Sequence, residues 1–198
     1  METFYHGSCR LFNSFSLSHL GEGEGKSKFG HGIYVTSSYD TAVLYAAKAG
    51  KANGVGTFYV YTVEVPELNA DNHIFSCRPV PAEVAQRIGG LLNAQIPPET
   101  LAAGKFFRKY VGNLITHQLG TVKQMTGKAD AVAESAASKF FGENGIVCLA
   151  WPQAQTKPDG ITNRAILRED CIRILKIEQV EADDRNRLVE GSQREIGL

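Results

Sequence analysis

The amino-acid sequence predicts an α+β protein in which a helical segment interrupts a β-rich scaffold. Two features carry that expectation. Stretches rich in β-branched and aromatic residues lie before about residue 66 and after about residue 145, and short runs of this kind read as strands. Between them, over about 81–141, apolar residues return every three or four positions, the spacing of one helix face. A chain of 198 residues, 43% hydrophobic and 21% charged, can bury a sizeable core as one domain.

Residues 2–8 read as a strand running into a turn at Gly7. Gly21, Gly23, Gly25, Gly30 and Gly32, with Lys26 and Lys28 among them, predict a tightly turning loop. Residues 33–36 form a β-rich step out of it. Ser38 or Asp40 can cap a helix through Lys48, with Ala42, Tyr45, Ala46 and Ala49 at helical spacing, and Gly50 and Gly54 after it. Residues 57–65 make the clearest strand, closed by Pro66.

Three helices follow, over 83–92, 99–119 and 129–141, with Gly142 as the stop of the third. Strands then return over 145–151, 163–167 and 172–177, the last two joined by a turn at Arg168, Glu169 and Asp170. A single domain is therefore expected over 1–180. The charged end, 181–198, is poor in apolar residues and reads as a frayed or partner-binding tail.

Lys+Arg and Asp+Glu balance at 21 each. Bulk charge gives no case for tracking nucleic acid or an anionic membrane. Cys9, Cys77, Cys148 and Cys171 are far apart, without zinc-ligand spacing, and read as reduced thiols of a cytoplasmic protein. The first residues lack a basic stretch followed by an apolar one, and no apolar run nears the ~20 residues of a membrane helix.

Three clusters bear chemistry. In His6-Gly7-Ser8, a histidine at a strand end can bond a hydroxyl, and a glycine lets a ligand approach the backbone. In Phe29-Gly30-His31-Gly32-Ile33-Tyr34, two glycines allow a tight turn and Tyr34 opens a strand. Tyr45 follows eleven residues later on the first helix. Two tyrosines so placed can cover a flat heterocycle, or can both be core aromatics. The glycines of 21–32 do not meet the phosphate-loop pattern, despite Gly25-Lys26-Ser27. His19, His73 and His117 lack ligand partners, and no third group makes Cys9 a nucleophile. Lys105, Arg108 and Lys109 read as a solvated helix face, or as a local basic face.

The segment from Tyr5 to Ala47 resembles the donor-site half of the diphtheria-toxin-like ADP-ribosyltransferases, the group that includes the poly(ADP-ribose) polymerases. That family has His-Gly-Ser or His-Gly-Thr, then Phe-Gly-x-Gly-Ile-Tyr, then a second Tyr eleven residues on, and all three stand here in order. The resemblance implies two packed, antiparallel-rich sheets forming an NAD cleft, with NAD as substrate and no metal. His6 would contact the nicotinamide ribose, Gly7 the carboxamide, and Tyr34 and Tyr45 the nicotinamide ring. Ser8 would reach the adenosine side, and Thr36 is counted with the NAD contacts. Thr41 or Ala42 falls where the family often has a carboxamide-binding Ser, a contact Ala42 cannot make through its side chain.

The family's third motif is a Glu at the start of a late strand. Here that segment runs Thr162-Asn163-Arg164, so Asn163 takes the position, or Arg164 if the register slips by one. His6, Tyr34 and Asn163 form the implied catalytic set. Glu169, Glu22 and Glu24 are the acids that can stand in. Without the acid, chain elongation is not expected, but transfer of one ADP-ribose is, because NAD is already an activated donor.

Much of residues 4–178 is also similar to a subgroup fused to polyvalent phage and mobile-element proteins, through Val60–Val65, Asn144–Ile146 and the third-motif Asn. The implied activity is mono-ADP-ribosylation of RNA, DNA or protein by a bacterial or phage toxin or defence effector. Its implied partners are NAD, that acceptor, and an antitoxin or immunity protein, with the tail from Glu181 as a candidate surface. An NAD-binding module without turnover and an NAD glycohydrolase are the alternatives.

Overall fold

A computed structural model describes residues 1–19, 29–118, 130–154 and 160–197. The expectations placed on Gly21, Glu22, Gly23, Glu24, Gly25, Lys26 and Lys28 lie outside the described residues. Eight strands are present among those described: β1 (Glu2–Ser8), β2 (Ile33–Thr36), β3 (Phe58–Val65), β4 (His73–Phe75), β5 (Cys148–Pro152), β6 (Thr162–Ile166), β7 (Arg173–Val180) and β8 (Arg194–Ile196). The helices are α1 (Tyr39–Ala52), α2 (Ala82–Leu91), α3 (Gly104–Gln118) and α4 (Ala131–Glu143). The α+β class and the helical segment between strands are as expected. Among the described residues, no helix is long and apolar enough to cross a membrane.

The strands form one sheet in the order β4-β5-β6-β2-β1-β3-β7-β8. Every pairing is antiparallel except β4 with β5. Two packed, antiparallel-rich sheets were expected; the described strands instead join as one mostly antiparallel sheet. The two four-stranded halves join through a single register pair, Tyr5 with Thr36, whereas β1 is paired to β3 along its whole length. Beyond that pair the His6 side chain links the halves, its Nδ1 2.7 Å from the Tyr34 carbonyl oxygen.

Alternation along the strands sorts the core. On β3, Phe58 and Val60 pack with α1, while Tyr61, Val63 and Val65 belong to a cluster with Ile33, Val35 and Ile177. On β6, Ala165 joins the core under α2, α3 and α4, and Ile166 faces the other way. Ser38 caps α1 by accepting from the Thr41 N–H at 3.2 Å, one of the two caps expected.

Several boundaries differ, each for a packing reason. Gly50 and Gly142 lie inside helices rather than ending them, because a Cβ there would meet Phe58 and the Leu167 carbonyl at 2.3 and 2.9 Å. The long second helix is broken: a 3-10 turn covers Pro98–Ala102 and Ala103 is extended before α3 begins. Backbone bonds from Val80 to Leu101, Gly104 to Arg78 and Lys105 to Ser76 hold that break against the chain after β4. The end of the chain is charged but not frayed. Residues 182 and 188 form a bridge, β8 pairs with β7, and the Asp183 carboxylate accepts from the backbone N–H groups of Arg185 and Arg187. The return covers Ile177, Glu178 and Gln179 on what would otherwise be an open edge of β7.

Candidate functional site

The site begins at the end of β1. His6 is partly buried, with Phe15 edge-on at 5.1 Å and Phe12 and Tyr61 each at 5.9 Å between ring centres. Burial pushes its pKa below the ordinary value, against the bond to Tyr34, which pulls it up. The imidazole is therefore neutral near pH 7. Because a carbonyl oxygen only accepts, Nδ1 carries the proton and Nε2 is the acceptor. Nε2 has no partner among the described residues.

Gly7 has a packing reason of its own. A Cβ would stand 1.9 Å from the Ala42 carbonyl oxygen, so only glycine lets α1 cross β1 this closely. Ala42 contributes backbone here rather than a side chain to any ligand, and Thr41 is buried. Ser8 Oγ accepts from the Arg10 N–H at 3.0 Å, and Thr36 Oγ1 accepts from the Ser38 N–H at 3.3 Å. Both hydroxyls hold local turns and retain a proton to donate.

The turn before β2 is pinned from three sides. Gly30 has φ +113° and a Cβ there would meet Leu149 at 2.2 Å. The Tyr34 hydroxyl donates to the Gly30 carbonyl at 2.9 Å and accepts from the Phe29 N–H at 3.2 Å. The His31 N–H donates to Ser138 Oγ of α4 at 2.9 Å, so the helical segment braces this loop. Phe29 stacks on Trp151 at 4.4 Å and 6°, and Tyr34 meets the same indole edge-on at 5.2 Å. Burial raises the Tyr34 pKa, so its hydroxyl stays protonated. Part of the Tyr34 ring is already occupied by protein.

Asn163 pairs with Thr36 on one side and Trp151 on the other. It is buried, and its Nδ2 donates to Gln153 Oε1 at 2.8 Å. The Tyr45 hydroxyl donates to the same oxygen at 3.4 Å. Gln153 thereby connects Tyr45 to Asn163 and leaves Asn163 Oδ1 free to accept. Tyr45 itself is 47% exposed. Arg164 points away from this group: it donates to the Pro66 carbonyl, pairs with Glu2 and lies 4.1 Å over Phe4. Of the two registers considered, Asn163 stands with Tyr45 and Arg164 does not.

No carboxylate among the described residues bonds to His6, Tyr34, Tyr45 or Asn163. Glu169 is taken up elsewhere, accepting from Ser16 Oγ at 3.1 Å and from the Leu17 N–H. Glu22 and Glu24 lie outside the described residues. Arg108 is not part of a solvated helix face: it is 4% exposed and paired with Glu134 across α3 and α4. Neither of two surface cavities formed by described residues is lined by His6, Tyr34, Tyr45 or Asn163. The four cysteines are unpaired, and burial raises the Cys148 thiol to about 12.

Gln153, Trp151 and Ser138 were not found from the sequence. Each acts through a partner from a distant strand or helix, and none belongs to a spaced motif. No family model, curated protein or solved structure matches the chain.

Proposed function

We propose that the chain binds NAD where β1 and β2 part and transfers one ADP-ribose to a macromolecular acceptor, RNA, DNA or protein. His6 carries this reading. It is held as a neutral imidazole with an unpartnered Nε2, the acceptor that a ribose hydroxyl needs, and it is followed by a glycine. The ordered resemblance of His6-Gly7-Ser8, Phe29 to Tyr34 and Tyr45 to the family's donor motifs supports it, as does the shared bond of Tyr45 and Asn163 to Gln153.

In the reaction, the bond between ribose C1′ and the nicotinamide nitrogen breaks, with its electron pair leaving on nicotinamide. An acceptor oxygen or nitrogen attacks C1′ and gives up its proton to solvent. The chain contributes position and polarity rather than a formal charge: His6 and Asn163 Oδ1 accept ribose hydroxyls, Tyr34 and Tyr45 flank the nicotinamide ring, and Gly7, Ser8 and Thr36 line the remainder. A toxin or defence effector restrained by an antitoxin or immunity protein is the setting that goes with this reading.

Asn163 favours one second reading. It bears no charge, which suits a module that binds NAD without turnover. Incubation with NAD, with and without cell lysate, separates the readings. A transferase releases nicotinamide and labels a macromolecule, and His6→Ala stops both. A glycohydrolase releases nicotinamide without label. A binding module holds NAD and releases nothing above the His6→Ala level, an outcome that overturns the transferase.

A further inference from the structure

The β4–β5–β6 end of the sheet carries a cavity of about 400 Å³, walled by His73, Phe75, Arg78, Pro152, Thr162 and Arg164 among others. Its described lining holds no acid. Arg164 is 4% exposed, and two of its donors are used by Pro66 and Glu2. Its Nε is buried with no partner among the described residues. Arg78 lies 4.2 Å over the Phe75 ring and has no acidic partner among the described residues. Burial, and then the charges of Arg164 and Arg78, hold His73 below its ordinary pKa. Two guanidiniums therefore line one cavity, and among the described residues Arg164 pairs with Glu2, whose side chain is 42% exposed.

Clustered guanidiniums with spare donors suit a multidentate anion. A carboxylate satisfies one fork, whereas a phosphate offers three oxygens and up to two charges to two forks. The cavity lies within the roughly 300–1,000 Å³ of organic-ligand sites, which leaves room for a group beside the phosphate. Phe75 and Pro152 give that room an apolar wall.

We propose that this cavity binds a phosphate monoester joined to a flat ring, as in a nucleoside monophosphate or the phosphorylated end of a nucleic acid. Arg78 and Arg164 face the phosphate, and Phe75 and Pro152 lie beside the ring. The site does not depend on the NAD reading. Thr162 and Pro152 border it, while their neighbours Asn163 and Gln153 form the group with Tyr45.

Calorimetric titration of the full chain tests this with uridine 5′-monophosphate, uridine, inorganic phosphate and a 5′-phosphorylated uridine trinucleotide. The monophosphate should bind at least tenfold tighter than uridine. Arg78→Gln, at an exposed side chain, should weaken it at least tenfold, about 1.4 kcal/mol, with NAD affinity unchanged. Arg78→Lys, which keeps the charge and loses the fork, should fall between. Tighter binding of the trinucleotide than of the monophosphate identifies a nucleic-acid end; equal or weaker binding identifies the free nucleotide. The proposal is overturned if the monophosphate binds no better than uridine, if both Arg78 variants bind as wild type, or if NAD displaces the ligand.

Discussion

Burial and one hydrogen bond to the Tyr34 carbonyl set both the charge and the tautomer of His6. On the transferase reading, nicotinamide release should stay level from pH 8 to about 6.5, the ordinary histidine value, and decline only below it. A half-loss at pH 7 in a pH–rate profile contradicts a neutral His6. The same shift bears on stability. His6 and His73 both sit below the ordinary value, so as the medium acidifies the unfolded chain takes up protons first. Their contribution is complete above about pH 6.5 and is lost as the pH falls through the folded-state values. Denaturant titration at pH 7.5 and pH 5.5 should show the loss, and His6→Gln should reduce it. At Gln153, replacement by alanine leaves the Asn163 amide and the Tyr45 hydroxyl without their shared acceptor. NAD affinity should drop about tenfold, the equivalent of ~1.4 kcal/mol, as read by titration.

The elements meet at points where a single group decides the contact. Helix α1 crosses β1 at Gly7, and Gly7→Ala puts a methyl against helix backbone that has no room to turn aside. A loss of about 1–3 kcal/mol is expected from such overpacking, measurable by chemical denaturation. Helices α3 and α4 are joined by the buried Arg108–Glu134 pair. Removing one partner strands the other charge, so Glu134→Ala should cost about 3–5 kcal/mol, a fall in Tm on the order of 10 °C for a chain of this size. The sequence made Arg108 readable only as a helix-face charge, because its partner lies 26 positions away on another helix. Strand β4 was illegible for a different reason: three residues cannot show an alternation, and its position follows from its parallel pairing to β5. By contrast, β3 and the Ser38 cap were legible because each rests on neighbouring residues alone.

Across the whole molecule, the two halves of one sheet share a single register pair, and the His6 and Arg164 side chains reach across to Tyr34 and Glu2. The strand-rich ends and helical middle could be read from periodicity, but the joining of both halves into one sheet could not, since it depends on where β1 leaves β2. Spaced motifs exposed His6, Tyr34 and Tyr45. Asn163 was reached through its strand, and the structure separates it from Arg164 by the alternation of β6. The charged end of the chain reads as a tail in composition, yet it completes the sheet beside β7, which pairing rather than hydrophobicity explains. Nicotinamide release from NAD by the wild-type chain and by His6→Ala, in cell lysate, tests the central claim most directly. The account predicts release with labelling of a macromolecule by the wild type, reduced at least 100-fold in the variant, about 2.7 kcal/mol of lost transition-state stabilisation. Equal release by both proteins, or none by the wild type, contradicts it.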